Sequence, residues 1–169
     1  MKTTRSIVAA LAAAAVLAAG GVAYLATASK EVVPTVAYTL LDGTRTDTAQ
    51  LRGKVVFINF WATSCATCVK EMPQVVAMHR KYRPQGFDTL AVAMRYDPPA
   101  YVVRYAETRG LPFGVAIDNT GEIARRFGDV QVTPTSLLIN KRGEIVKRFV
   151  GEPDFAALHG TIEKLLADS

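Results

Sequence analysis

Val55-Val56-Phe57-Ile58-Asn59-Phe60-Trp61-Ala62-Thr63-Ser64-Cys65-Ala66-Thr67-Cys68 is the stretch around which the chain is organised. From Val55 to Trp61 it is apolar apart from Asn59 and rich in β-branched and aromatic side chains, which predicts a buried strand. A short polar break follows, then two cysteines separated by Ala66-Thr67. Val69 to Met78 reads as a helix, so Cys65 falls at a helix start beside the C-terminal end of the strand. A helix N-terminus carries unpaired N–H groups and partial positive charge, which favour a thiolate over a thiol. Cys65 is therefore the expected nucleophile. Cys68 lies about one turn further on, placed to close a disulfide with Cys65 or to resolve a mixed disulfide.

These are the only two cysteines in the chain, and its two histidines, His79 and His159, are distant in sequence. No metal site of cysteine and histidine is expected. A purely structural disulfide across a two-residue spacer closes a tiny loop and gains little chain-entropy stabilisation. The pair therefore points to thiol–disulfide exchange.

Phe60 to Cys68, then Glu71 and Pro73, then Val132-Thr133-Pro134-Thr135 together resemble the thioredoxin superfamily, and within it the TlpA/ResA-like membrane-tethered thiol–disulfide oxidoreductases. The resemblance spans residues 35–169. It implies an α/β fold: a central mixed sheet flanked by helices, with an N-terminal β-hairpin and a central insertion. That group commonly has Trp before the first cysteine and Pro before the second, where this chain has Ser64 and Thr67. The resemblance further implies a cis Thr133-Pro134 bond facing the cysteines. Trp61, Thr133 and Pro134 are the implied substrate-binding residues, with the Thr133 backbone free to pair with an extended client segment. It implies a protein client, apocytochrome c or a copper-site assembly protein among them. It also implies re-reduction by a membrane thiol donor of the DsbD/CcdA kind.

Asn59 occupies the place where thioredoxins carry a buried, proton-moving Asp. Asn cannot titrate, so its role reads as an in-strand amide bonded to neighbouring backbone, and the proton path for Cys68 must run through water or another carboxylate. Glu71 matches the group's E-x-P step and reads equally as a surface carboxylate or as a group tuning the pair. Asp97, before Pro98-Pro99, reads as a helix N-cap, with a proton-relay role as its alternative. Pro73 inside the helix is a kinking proline. His79 reads as solvated or half-buried, and His159 as exposed.

At 169 residues, half hydrophobic and 21% charged, the chain holds one domain plus an appendage. Its net charge of +5 forms no basic stripe with interleaved aromatics, which speaks against nucleic-acid binding. Met1 to Arg5 is a short basic start, and residues 6–28 carry no charge. Residues 1–28 fit either a cleaved signal peptide ending Ala26-Thr27-Ala28 or an uncleaved membrane anchor, with 29–34 as linker and 35–169 as the domain. Both place the domain outside the cytoplasm: at the periplasmic face of the inner membrane if anchored, free in the periplasm if the leader is cleaved. A monomer needing no cofactor beyond the Cys65–Cys68 disulfide is expected.

Further along, Thr35 to Leu41 predicts a strand turned at Asp42-Gly43, Phe87 to Met94 a strand, and Ala100 to Arg109 a helix. Leu111 to Asp118 predicts a strand and Glu122 to Phe127 a short helix. Ser136 to Asn140 and Ile145 to Val150 predict strands, and a helix capped at Gly151 to Asp154 runs to Leu166. Three readings compete with a disulfide reductase. A disulfide-forming oxidase shares the chemistry in reverse. A copper-binding assembly module of the Sco type spaces its cysteines by three, not two. A peroxidase of this fold carries Thr where this chain has Ala62.

Overall fold

The computed structural model describes residues 31–168; expectations for the leader lie outside them. Seven strands and four α-helices follow in the order β1 (Ala37–Thr39), β2 (Arg45–Asp47), β3 (Val55–Trp61), α1 (Ala66–Tyr82), β4 (Phe87–Ala93), α2 (Pro99–Arg109), β5 (Gly114–Ile117), α3 (Glu122–Arg126), β6 (Thr135–Ile139), β7 (Ile145–Val150) and α4 (Phe155–Ala167). The main sheet has the order β5-β4-β3-β6-β7. β3, β4 and β5 run parallel, and β6 and β7 complete the sheet antiparallel. β3 is thus the middle strand, which is why every one of its residues is buried. The β1–β2 hairpin turns at Asp42-Gly43 and leans on β5 through Leu41 N–H, which donates to the Val115 carbonyl at 3.0 Å.

Strand alternation divides the core. Val55, Phe57 and Trp61 point to the face packed by α1 and α4, against Met72, Val75, Phe155 and Leu158. Val56, Ile58 and Phe60 point to the other, against Ile123 and Phe127 at α3 and Val36 and Tyr38 at the hairpin. The segment Pro99 to Arg126 (α2, β5, α3) is the insertion. Among the described residues no helix is long and apolar enough to cross a membrane.

Where a linker over 29–34 is expected, residues 31–34 are held to the fold. Val33 N–H donates to the Gly143 carbonyl at 2.9 Å, Ile145 N–H to the Glu31 carbonyl at 2.8 Å, and the Thr48 hydroxyl to the Pro34 carbonyl at 2.6 Å. The first two bonds attach the chain's entry to the β6–β7 hairpin, the third to the turn after β2.

Two histidine expectations are corrected. His159 is half-buried, its Nδ1 3.0 Å from the Tyr82 hydroxyl. His79 is 1% exposed, on the sheet-facing stripe of α1, between Phe87 and Phe113 and 3.2 Å from the Thr89 hydroxyl. Burial disfavours the imidazolium and pulls its pKa down. The unfolded chain then binds a proton that the folded chain refuses, so stability falls as pH drops through the free imidazole's value of about 6.5. Thermal melts from neutral to mildly acidic pH should show the wild type losing stability relative to His79→Phe. Parallel curves would mean that His79 does not resist protonation.

Candidate functional site

The sheet positions the cysteines. β3 ends at Trp61, and a turn closed by Cys65 N–H on the Ala62 carbonyl (3.1 Å) sets Cys65 as the residue capping α1. Cys65 and Cys68 form a disulfide with Cα atoms 5.2 Å apart. Cys65 Sγ accepts the Cys68 N–H at 3.2 Å, so one unpaired donor of the helix start points at the expected nucleophile. Cys65 is half-buried with exposed Ser64, Ala66 and Thr67 around it, whereas Cys68 is wholly buried. Access alone therefore separates the two sulfurs: a large client can reach Cys65 and not Cys68.

Beneath Cys68 lies a polar cluster in an otherwise apolar layer. Glu71, one helical turn after Cys68 on the same stripe of α1, is 0% exposed, so it is not a surface carboxylate. Asn59 Nδ2 donates to Glu71 Oε1 at 3.1 Å and to Ser136 Oγ at 2.9 Å. Asn59 thus bonds side chains, not the neighbouring backbone expected of it. Burial pushes the Glu71 carboxyl up to about 7; the Asn59 hydrogen bond pulls the other way, and the Glu152 charge adds to the rise. Glu71 Oε2, Asn59 Oδ1 and Trp61 Nε1 are buried without a partner. A carboxyl that titrates near neutrality, next to a buried thiol-forming sulfur, is suited to exchanging a proton with it.

Ser136 is the member of this cluster that sequence reasoning missed. Its signal is a polar residue opening the buried run Ser136-Leu137-Leu138-Ile139, paired in register with Asn59.

Asp97 is not the N-cap of α2. Pro98 takes the cap position of α2 without a side-chain bond. Buried Asp97 turns back instead, accepting the Thr63 N–H on Oδ2 and the Thr63 hydroxyl on Oδ1, both at 2.5 Å. Both carboxylate oxygens are thereby engaged in bracing the turn that delivers Cys65. Asp97→Ala strands the Thr63 N–H. It should cost about 2–3 kcal/mol in urea unfolding, as for loss of hydrogen bonds to a charged group. A cost within about 0.5 kcal/mol, typical of surface changes, would mean the brace carries no load.

The Thr133-Pro134 bond is cis. Thr135 pairs with Phe60, so Thr133 and Pro134 lie at the cysteine-bearing end of the sheet. Half-buried Thr133 is joined to the β4–α2 loop by its hydroxyl, 3.1 Å from that of Tyr96. Trp61, expected to meet substrate, is corrected: it is 0% exposed and packed against Tyr105 with tilted rings, centroids 5.1 Å apart. The exposed apolar side chains at this end are instead Tyr96, Tyr101, Val132 and Val150. Among the described residues no group of three or more His, Cys, Asp or Glu side chains is placed to hold a metal ion.

Comparison with known proteins agrees with this geometry. Residues 27–162 match the family model described as Redoxin. The chain is 36% identical over 132 residues to the thiol-disulfide oxidoreductase ResA of Bacillus thuringiensis strain Al Hakam, covering 78% of this chain and 75% of that one. Among solved structures, a thioredoxin candidate from Neisseria meningitidis superposes with a TM-score of 0.77 at 41% identity, over 83% of this chain and 93% of that one. A thioredoxin-family thiol:disulfide interchange protein from Chlorobium tepidum gives 0.75 at 27% identity, over 83% and 99%.

Proposed function

From the premise that this chain belongs to the Redoxin family, and within it to the TlpA/ResA-like thiol–disulfide oxidoreductases, we propose that it works as a disulfide reductase on the extracytoplasmic side of a membrane, held there by its N-terminal segment. The observation that carries the reading is the division between the two sulfurs: Cys65 half-buried and capped by a helix N–H, Cys68 buried one turn before Glu71.

The steps balance as follows. The Cys65 thiolate attacks a client disulfide; one client sulfur leaves as thiolate and takes a proton from solvent, and a Cys65–client disulfide forms. Cys68 gives its thiol proton to the Glu71 carboxylate, attacks Cys65 Sγ and closes the Cys65–Cys68 disulfide. The second client sulfur leaves and is protonated. Two electrons pass from the cysteine pair to the client. A donor dithiol, in the membrane, then reduces the pair again. The disulfide itself is the redox group, and no step calls for a metal or flavin. Thr133 and Pro134, at the cysteine-bearing end of the sheet, would receive an extended client strand, with Tyr96 and Val132 as its apolar walls. Candidate clients are apocytochrome c and copper-site assembly proteins.

The test mixes the reduced full chain with a disulfide-bonded peptide and quantifies peptide thiols by mass. Formation of peptide dithiol together with oxidised Cys65–Cys68 is the expected result. If the oxidised chain instead converts peptide dithiols to disulfides and the reverse fails, the protein is an oxidase.

A further inference from the structure

The loop between β4 and α2 reaches both parts of the site with consecutive residues. Asp97 holds the turn that delivers Cys65, through the Thr63 N–H and hydroxyl. Tyr96, the residue before it, holds the segment ahead of β6, its hydroxyl 3.1 Å from that of Thr133. Thr63 leaves the end of β3 and Thr133 leads into β6, the strand paired with β3. One loop therefore joins the two chain segments from which the site is built.

The loop is itself fixed. Met94 N–H donates to the Trp61 carbonyl at 3.0 Å, just past the last β3–β4 pair, and Asp97 N–H closes back on the Met94 carbonyl at 2.9 Å. The Arg95 stem lies across Gly121 at the start of α3. A β-carbon at Gly121 would sit 3.0 Å from Arg95 Cδ, and its φ of +72° already favours glycine. Tyr96 thus spans to Thr133 from a held base.

Thr133 is the residue of its segment with backbone to offer. The Val132 carbonyl accepts the Thr135 hydroxyl at 2.8 Å, and the Pro134 carbonyl accepts Gly151 N–H at 2.8 Å. Among the described residues, neither the N–H nor the carbonyl of Thr133 has a partner. An extended client segment pairs through such open groups, and their direction depends on how Thr133 is held.

We propose that Tyr96 is a positioning residue for the protein client: through its hydroxyl it holds Thr133 in the orientation in which the open Thr133 backbone pairs with an extended segment beside the client's disulfide. This rests on the reading of the protein as a reductase of protein disulfides. With Asp97 fixing the Cys65 turn from the adjacent residue, the same loop sets the nucleophile against the paired client backbone, so that the client sulfur arrives aligned for attack. A disulfide too small to pair with Thr133 gains nothing from the Tyr96 bond.

The experiment compares the reduced full chain acting on the disulfide-bonded peptide and on hydroxyethyl disulfide, which has no backbone to pair. Tyr96→Phe keeps the exposed ring and loses the hydroxyl. Its second-order rate on the peptide, relative to hydroxyethyl disulfide, should fall about fivefold, the scale of one ordinary hydrogen bond. The fall should lie in the half-saturating concentration and not in the limiting rate, as for a contact made alike before and during the reaction. Thr133→Val should give the same fall, and Thr133→Ser, which keeps the hydroxyl, should retain most of the wild-type ratio. Tyr96→Phe combined with Thr133→Val should fall no further than either alone, because both remove one shared bond. An unchanged ratio in Tyr96→Phe, or additive falls in the double variant, overturns the positioning role. So does an equal loss on both substrates, which would place the effect on the cysteines. A wild type that reduces hydroxyethyl disulfide and not the peptide overturns the protein-client reading, and this proposal falls with it.

Discussion

Cys68→Ser should accumulate as a covalent adduct with its client and not turn over. The variant keeps the half-buried Cys65 at the helix start, so attack on a client disulfide proceeds. It lacks the buried sulfur that would displace the client. Non-reducing gels or intact mass should show a mixed disulfide on Cys65 that dissolves with added dithiothreitol, and steady-state reduction should fall to the background rate. Cys65→Ser should give neither adduct nor turnover, because Cys68 is shielded from a protein substrate. If Cys65→Ser forms the adduct and Cys68→Ser does not, the roles of the two sulfurs are reversed. Serine places a hydroxyl where the wholly buried Cys68 sulfur was, so a melt of each variant is needed to separate a folding defect from loss of the reaction.

Glu71→Gln should slow reduction at neutral pH by about a hundredfold, the lower range for loss of a positioned general base. The pH profile distinguishes this from a packing defect. If Glu71 takes the Cys68 proton, the wild-type resolving step should quicken as Glu71 ionises near pH 7. In Glu71→Gln that rise disappears, leaving only the titration of the thiols, for which about 8.5 is the ordinary value. Stability should move the other way. The folded pKa of Glu71 lies above its free value of 4.5, so the buried carboxylate costs nothing below about pH 4.5. Its cost grows as pH rises to about 7 and levels off at roughly 3 kcal/mol. The glutamine variant should match the wild type in acid and be the more stable of the two at pH 8. Asn59 can turn its amide to bond glutamine in either sense, and Ser136, both donor and acceptor, can follow it. A slower enzyme that is also a more stable protein would be hard to attribute to damage. Equal rates and unchanged profiles would remove Glu71 from the reaction.

The strand, the cysteine pair and the helix were legible because each obeys a local rule: a buried β-branched run, a polar break, then helical spacing. The hairpin at Asp42-Gly43 and the placement of Thr133-Pro134 at the site were legible through turn chemistry and the family resemblance. His79 was misjudged, and Glu71 left open between two readings, for one shared reason. Cys68, Glu71, Met72, Val75, Met78, His79 and Tyr82 form a single buried stripe at helical spacing, and both polar residues fall on it. Residue type suggested exposure where position dictated burial. Asp97 failed differently. The Asp-Pro-Pro step looks like a cap, but a residue before proline is driven to extended backbone. The helix therefore starts at Pro99 and leaves Asp97 free to turn back to Thr63, a contact of 34 residues' separation that no local pattern reveals. Trp61 stands at the end of β3, where substrate contact was expected, yet the insertion covers it with Tyr105. Ser136 becomes significant only once β3 and β6 are paired.

The measurement that tests the reductase account most directly is the reduction potential of the Cys65–Cys68 pair, with the chain equilibrated against glutathione and dithiothreitol buffers and its thiols counted by alkylation. The account expects a pair that stays oxidised in glutathione and is reduced only by dithiothreitol, toward the thioredoxin end of the range, about −270 mV. A pair that glutathione reduces readily, near the value of about −120 mV of a strong disulfide-forming oxidant, would contradict it and make the protein a donor of disulfides.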